Sequence, residues 1–209
     1  MTVISAVLLA AGESLRMGAQ NKLRLSVEGE PLLRKTLRTL LASKLREIVV
    51  VLGHEAEQSR ELLRDLPVTG VVNEHYQQGQ MTSVHAGMKA LSADCDGIMV
   101  CLSDQPLLET TDINALIEAF KHRSHGSVLV PTYQGQRGNP IIMAYQHRQA
   151  ILDGDRNLGC KRLIEKNPQL VCSIEMDNEH FVFDVDTPED YAELVRRTID
   201  SNKTIAASP

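Results

Sequence analysis

Aromatic residues are scarce in this sequence: 209 residues include no Trp, three Phe and four Tyr. Binders of single-stranded nucleic acid stack bases on exposed rings, so that class is disfavoured. Positive charge is short as well. With 22 Lys+Arg against 27 Asp+Glu, the net charge of −5 argues against a general nucleic-acid coat, while leaving room for one local basic pocket. No apolar run approaches the roughly 20 residues of a bilayer span, so no membrane partner is expected. Met1–Ala10 carries no basic leader and enters a strand pattern directly, so it reads as no signal peptide. Cys95, Cys101, Cys160 and Cys172 form no CxxC pair, which points to reduced thiols and a cytoplasmic location. Two nucleotide fingerprints, GxGxxG and GxxxxGK[ST], are also missing.

What is present is ordinary globular composition, 43% hydrophobic and 23% charged. At this length folding buries roughly 70% of the unfolded chain's surface, enough for a core without staples. The pattern predicts one domain over 1–199 and a frayed polar tail over 200–209. Strand-length apolar runs fall at Val3–Leu9, Glu47–Gly53, Val68–Asn73, Gly97–Leu102, Val128–Pro131, Pro140–Ala144, Val171–Glu175 and His180–Val185. Helical spacing falls at Pro31–Leu41, Glu55–Arg64, Thr82–Leu91, Thr111–Lys121, Tyr145–Leu152, Leu158–Lys166 and Pro188–Thr198. This alternation predicts an α/β fold, a three-layer α/β/α sandwich with a mostly parallel sheet. Such sheets bind ligands beyond the carboxyl ends of their strands, so the loops after Leu9, Leu102 and Val185 matter most.

The first of these loops runs Leu9-Ala10-Ala11-Gly12-Glu13-Ser14-Leu15-Arg16-Met17-Gly18-Ala19-Gln20-Asn21-Lys22. Gly12, Gly18 and Ser14 free the backbone to present N–H groups to phosphate oxygens, and Arg16 and Lys22 add charge. A plain turn would need neither cation. The second and third loops each follow an apolar run that ends in aspartate, at Asp104 and at Asp184 and Asp186. Asp104 could simply terminate a strand, and Asp186 or Thr187 could cap the last helix with Pro188 in its first turn. On a strand, Asp184 and Asp186 would share a face, so either could serve as a ligand. His54, His75 and His85 have no carboxylate or cysteine at ligand spacing and read as packing or surface residues.

Leu9-Ala10-Ala11-Gly12, Ser14, Arg16-Met17-Gly18 and Lys22 together resemble the signature of the MobA-like nucleotidyltransferases. The Ala-Ala-Gly form is more similar to the molybdenum cofactor cytidylyltransferases than to the guanylyl branch, which usually has Ala-Gly-Gly. Gln78–Met88 resembles the second motif of the family, with Gly79 and Ser83 facing nucleotide; a capped helix without ligand is the other reading of those residues. The resemblance extends over nearly the whole chain and implies a Rossmann-like, nucleotide-diphospho-sugar transferase-like fold. It implies Arg16, Lys22 and Asp104 as catalytic residues and Leu9, Ala10, Ala11, Gly12, Ser14 and Gly18 as nucleotide contacts. Asp104 and Asp186 would hold Mg²⁺. Gly135–Pro140 resembles the acceptor-side loop, although many relatives have His where Asn139 stands. Arg137, Asn139 and Arg162 would then face the acceptor; a solvated arginine is the other reading of Arg137 and of Arg162.

The implied reaction is transfer of CMP from CTP to the phosphate of a molybdopterin-type acceptor, with pyrophosphate leaving. A molybdoenzyme or its maturation chaperone would be the protein partner. Two alternatives stand beside it: transfer to a sugar or polyol phosphate, and a non-catalytic nucleotide-binding maturation factor. A nicotinamide oxidoreductase is disfavoured by the failed glycine pattern and by the lack of a ribose-binding acid about 20 residues on.

Overall fold

The computed structural model describes residues 2–18, 20–92, 94–153 and 166–206. The first strand, β1 (Ile4–Ala10), is buried along its whole length and lies parallel between β4 (Ile48–Leu52) and β6 (Gly97–Leu102). Continuous apolar runs suit such strands because both of their faces are covered by helices. Ile4, Ala6, Leu8 and Ala10 point into one core cluster, and Val7 and Leu9 into the other. Period-two alternation thus divides one strand between two cores.

On the first face, α1 (Leu32–Leu41) and α4 (Thr110–His122) contribute Leu33, Leu37, Leu40, Ile113, Leu116, Ile117 and Phe120. The short α2 (Ala56–Glu61) covers the same face through Ala56. On the second, α3 (Gln80–Ala90) and α5 (His147–Asp153) contribute Val84, Met88 and Ile151. The result is the expected three-layer sandwich. The sheet has eight strands in the order β10-β7-β9-β6-β1-β4-β5, with β8 paired to β7. Its remaining members are β5 (Thr69–Val72), β7 (Val128–Tyr133), β8 (Gln136–Arg137), β9 (Ile141–Ala144) and β10 (Val171–Glu175). Among the described residues only β8 and β9 run against the rest, because Gln134 and Gly135, both at positive φ, close a tight hairpin after β7. A two-stranded ribbon of β2 (Ser26–Val27) and β3 (Glu30–Pro31) leads into α1.

The chain departs from the sequence pattern at His180–Val185, which forms no strand. Glu179–Phe181 is a single 3₁₀ turn, and the chain then crosses the carboxyl edge of the sheet. Its backbone is bonded one group at a time: Val185 N donates to Asp104 O at 2.8 Å, and Asn139 N donates to Phe181 O at 2.9 Å. The apolar alternation is satisfied without a ladder, since Phe181 and Val185 are both fully buried. The last helix, α6 (Pro188–Ala206), continues beyond Thr198. The expected helix at Leu158–Lys166 falls almost wholly outside the described residues, as do Arg162 and Cys160. Among the described residues no helix is long and apolar enough to cross a membrane, and Cys95, Cys101 and Cys172 are free thiols.

One close approach sets the height of α3 above the sheet. A Cβ on Gly87 would lie 2.3 Å from Val7 Cγ1 and 2.9 Å from Val51 Cγ2. Gly87→Ala gains about 1 kcal/mol of helix propensity, but the overlap forces α3 off β1 and β4. A net loss of about 1–3 kcal/mol is expected. Urea unfolding should show a lower midpoint at an unchanged slope.

Candidate active site

The carboxyl edges of β1 and β6 open onto a cavity of about 230 Å³, lined among others by Leu9, Ala11, Gly12, Ser14, Lys22, Ser83 and Asp104. The loop above it is held by its own polar groups. Ser14 takes the left-handed conformation at φ 54°, which starts a one-turn 3₁₀ helix over Leu15–Met17. Gly18 ends that turn at φ 68°, where a side chain would be strained. Ser14 Oγ accepts from Lys22 N at 3.3 Å. Asn21 Oδ1 caps the next turn by accepting from Leu23 N, while Asn21 Nδ2 donates to Glu55 Oε2 at 3.0 Å. Lys22 therefore leaves a backbone fixed on both sides.

Its side chain crosses the cavity rim. Lys22 Nζ donates to Asp104 Oδ2 at 2.6 Å and to Asp186 Oδ1 at 2.8 Å, and its side chain is only 12% exposed. Burial works against the ammonium, but the charges of Asp104 and Asp186 and their hydrogen bonds outweigh it, and its pKa is raised. Arg16, largely exposed, closes the group from outside by donating to Asp186 Oδ2 at 2.8 Å. Asp186 is free to face these cations because capping of α6 falls to others. Thr187 Oγ1 accepts from Asp190 N, and Asp190 Oδ2 accepts from the backbone N–H groups of Thr187 and Asp186. Thr187 caps the helix as expected, which leaves the Asp186 carboxylate turned toward the cations.

Asp184 joins the group although it lies on no strand. Its carboxyl is pushed up to about 6, first by burial and then by the charges of Asp104 and Asp186, against the smaller opposing effects of Gln105 and Lys22. Asp184 Oδ1 and Asp104 Oδ1 are both buried without a hydrogen-bond partner. Three carboxylates here face one buried ammonium and one exposed guanidinium, so the site is short of positive charge. Hard oxygen donors of this kind suit Mg²⁺ or Mn²⁺. Among the described residues no three or more acidic, His or Cys groups form a ready-made cage. Mg²⁺ does not need one, since it commonly takes one or two carboxylates and completes its shell with phosphate oxygens and water.

The other expected residues distribute unevenly. Ala10 is buried in β1, and Gly79, at φ 110°, lets the chain turn into α3. Ser83 faces the cavity, oriented by a residue the motif reading passed over: Asn73 Nδ2 donates to Ser83 Oγ at 2.9 Å and to Thr82 Oγ1 at 2.8 Å. Asn73 sits at the carboxyl end of β5, so the strand-end rule could have found it. Tyr76, Gln80 and Ser103 line the cavity and were missed as well. Gln105 is 1% exposed and ties the two acidic segments together by donating from Nε2 to Phe181 O at 3.0 Å. Arg137 lies exposed on β8, apart from the cavity lining, and Asn139 packs its backbone against Phe181. Arg162 lies outside the described residues.

A loop carrying two cations opposite paired carboxylates, at the carboxyl edge of a mostly parallel sheet, has the chemistry of a site for a phosphate-rich ligand. Residues 6–171 match the MobA-like NTP transferase domain, and the chain belongs to that family of nucleotidyltransferases. It is 34% identical to the purine catabolism protein PucB of Bacillus subtilis (strain 168), over 92% of this chain and 96% of that one. Identity is 29% to the nicotine blue oxidoreductase of Paenarthrobacter nicotinovorans, over 92% and 96%. It is 28% to the molybdenum cofactor cytidylyltransferase of Escherichia coli (strain K12), over 91% and 95%. Among solved structures, Rv0371c of Mycobacterium tuberculosis H37Rv in complex with manganese superposes with a TM-score of 0.77, at 22% identity, covering 93% of this chain and 99% of that one. At that identity the likeness is one of fold.

The turn carrying Phe181 toward Asp184 is pinned by a charged pair. His180 Nδ1 lies 2.7 Å from Asp112 Oδ2, and Asn178 Nδ2 donates to Asp112 Oδ1 at 3.0 Å. The hydrogen bond to Asp112 raises the His180 pKa against the effect of burial. On Asp112, burial is outweighed by its hydrogen bonds and its pKa is lowered. The stabilisation is therefore full below the unfolded His value of about 6.5 and is lost as pH rises through the higher folded value. On the acid side it is lost as pH falls through the lowered Asp112 value. His180→Ala should cost about 1–3 kcal/mol at pH 5.5 and clearly less at pH 9. Denaturant melts at the two pH values check this.

Proposed function

We propose that this protein transfers CMP from CTP to the terminal phosphate of a molybdopterin-type acceptor in the presence of Mg²⁺, with pyrophosphate leaving. The observation that carries the reading is the convergence of Lys22 and Arg16 with Asp104 and Asp186 at the mouth of the β1-loop cavity. An acceptor phosphate oxygen attacks the α-phosphorus, the bond from that phosphorus to the β-phosphate bridging oxygen breaks, and the electron pair leaves with pyrophosphate. A phosphate monoester is ionised near neutral pH, so the chain need not supply a base. Its work is positioning and charge neutralisation.

Lys22 and Arg16 are the cations that would grip the triphosphate, and Ser14 and the N–H groups near Gly12 would cradle it. Asp104 and Asp186 would hold Mg²⁺, with Asp184 as the substitute for Asp186. Bound there, the ion would offset charge on the triphosphate and orient the departing group. Arg137, Asn139 and Arg162 are assigned to the acceptor side. The reading places the reaction in the cytoplasm, in one domain over 1–199, with a molybdoenzyme or its maturation chaperone as the protein partner. The manganese complex of the mycobacterial protein and the name of the Escherichia coli relative support the metal and the nucleotide.

The first alternative is another phosphorylated acceptor, and the second is a maturation factor that binds nucleotide without turning it over. The relative named an oxidoreductase keeps a redox reading in the test. Four nucleoside triphosphates crossed with candidate acceptors, read by pyrophosphate release, decide among the transferase readings; nucleotide binding without release marks the maturation factor. Oxidation of NADH or NADPH without pyrophosphate release would replace them all.

Base choice follows from Ala11, which lines the cavity and is 5% exposed. Its methyl group occupies space that a second glycine would leave open near the base. Competition binding with Mg²⁺ should show CTP preferred over GTP, and a GTP preference would remove the cytidylyl assignment.

Asp104 and Asp186 share one ammonium, so they should act as a unit. Asp104→Asn and Asp186→Asn should each lower turnover severely, and the double variant should add little. A double-mutant cycle on kcat/KM at several Mg²⁺ concentrations, with melting curves alongside, measures it. Full Mg²⁺-dependent activity in Asp104→Asn would exclude the metal assignment.

A further inference from the structure

Lys22 is assigned above to the triphosphate, yet in this structure its ammonium sits elsewhere. Nζ bridges Asp104 Oδ2 and Asp186 Oδ1 at 2.6 and 2.8 Å, between the carboxylates assigned to the metal. Arg16, the second phosphate cation, is likewise bonded to Asp186 at 2.8 Å. The groups meant for metal and the groups meant for phosphate satisfy each other.

We propose that Lys22 is an internal competitor of the divalent cation: it keeps the metal site closed until a triphosphate draws its ammonium away, so metal and nucleotide load as a pair. The inference rests on the nucleotidyltransferase reading and adds an order to it. The physical basis is charge exchange. A metal ion arriving alone must displace a buried ammonium that then loses both of its hydrogen-bonded carboxylates. A metal-free triphosphate arriving alone must take Lys22 and Arg16 from carboxylates that would then face one another and the phosphates without a cation. Arriving together, each releases the partner the other needs: phosphate oxygens take the ammonium and guanidinium, and the carboxylates take the metal.

Two further features favour this arrangement over a casual surface pair. The Lys22 backbone is fixed by Ser14 Oγ on its own N–H and by the Asn21-capped turn that follows, so only the flexible side chain has to swing. In addition, Asp104 Oδ1 is buried without a hydrogen-bond partner. The lysine thus leaves one carboxylate oxygen of the site unpaired, as a monovalent stand-in for a divalent ion would. A site open in about one molecule in ten or fewer weakens the apparent affinity for the metal alone about tenfold or more.

The test is Mn²⁺ binding to the nucleotide-free protein, followed by calorimetry and by the loss of the free-ion electron paramagnetic resonance signal. Lys22→Met keeps most of the length of the side chain and removes its charge; Lys22→Gln is the second variant should the first fail to fold. The expected result is weak Mn²⁺ binding by the parent protein, at least about tenfold tighter binding by Lys22→Met, and loss of that gain in Lys22→Met/Asp104→Asn. Mn²⁺ should also raise the melting temperature of Lys22→Met more than that of the parent, since a ligand bound only by the native state stabilises it by mass action. Equal Mn²⁺ affinity in parent and Lys22→Met would overturn the competition. If the parent still took up Mn²⁺ with a non-hydrolysable CTP analogue, the nucleotidyltransferase reading would stand without it. A gain that survives Asp104→Asn would overturn both the competition and the assignment of these carboxylates to the metal.

Discussion

The ammonium of Lys22 holds together three parts of the chain that the sheet alone would leave as separate loops. Like charges oppose the approach of Asp104, Asp184 and Asp186, and the ammonium among them offsets part of that repulsion where the β6 end and the segment before α6 meet. In water such a pair would contribute little. At 12% exposure the lysine would be costly without its partners, so removal of either side would leave an uncompensated buried charge. The carboxyl edge of the sheet therefore carries an excess of negative charge held beside two cations.

The surrounding fold supplies the rigidity this arrangement needs. β1 and β6 are parallel neighbours, so the β1 loop and Asp104 emerge side by side. The crossing segment is bonded to the sheet at Phe181 and Val185, which flank Asp184. The His180–Asp112 pair fixes the start of that segment to the first turn of α4, and Asp190 fixes its end to α6. The long cationic side chains are thus the parts of this edge with the most rotatable bonds, on a backbone that is held at many points.

Membership of the MobA-like family sets the reaction class but leaves the substrates to local detail. Relatives of similar overlap carry names as different as purine catabolism protein, nicotine blue oxidoreductase and molybdenum cofactor cytidylyltransferase.

By itself the sequence determined the layers and the reactive edge. Continuous apolar runs such as Val49–Leu52 can be buried only between two helical layers, and short runs ending in Asp or in a glycine loop mark where strands stop. Arg16, Lys22, Asp104 and Asp186 drew notice in the sequence because charge follows apolar runs there, and the structure brings all four together. What the tertiary structure decided are the properties that depend on distance across the chain. His180–Val185 alternates like a strand, but its backbone pairs with no strand and bonds to Asp104, Gln105 and Asn139 instead. Asn73 directly follows β5, but that it orients Ser83, ten residues away, depends on how α3 packs beside that strand. That Lys22 would reach the carboxylates rather than stand in solvent follows from the packing of loops 82 and 164 residues distant, and local pattern carries no information about that charge balance.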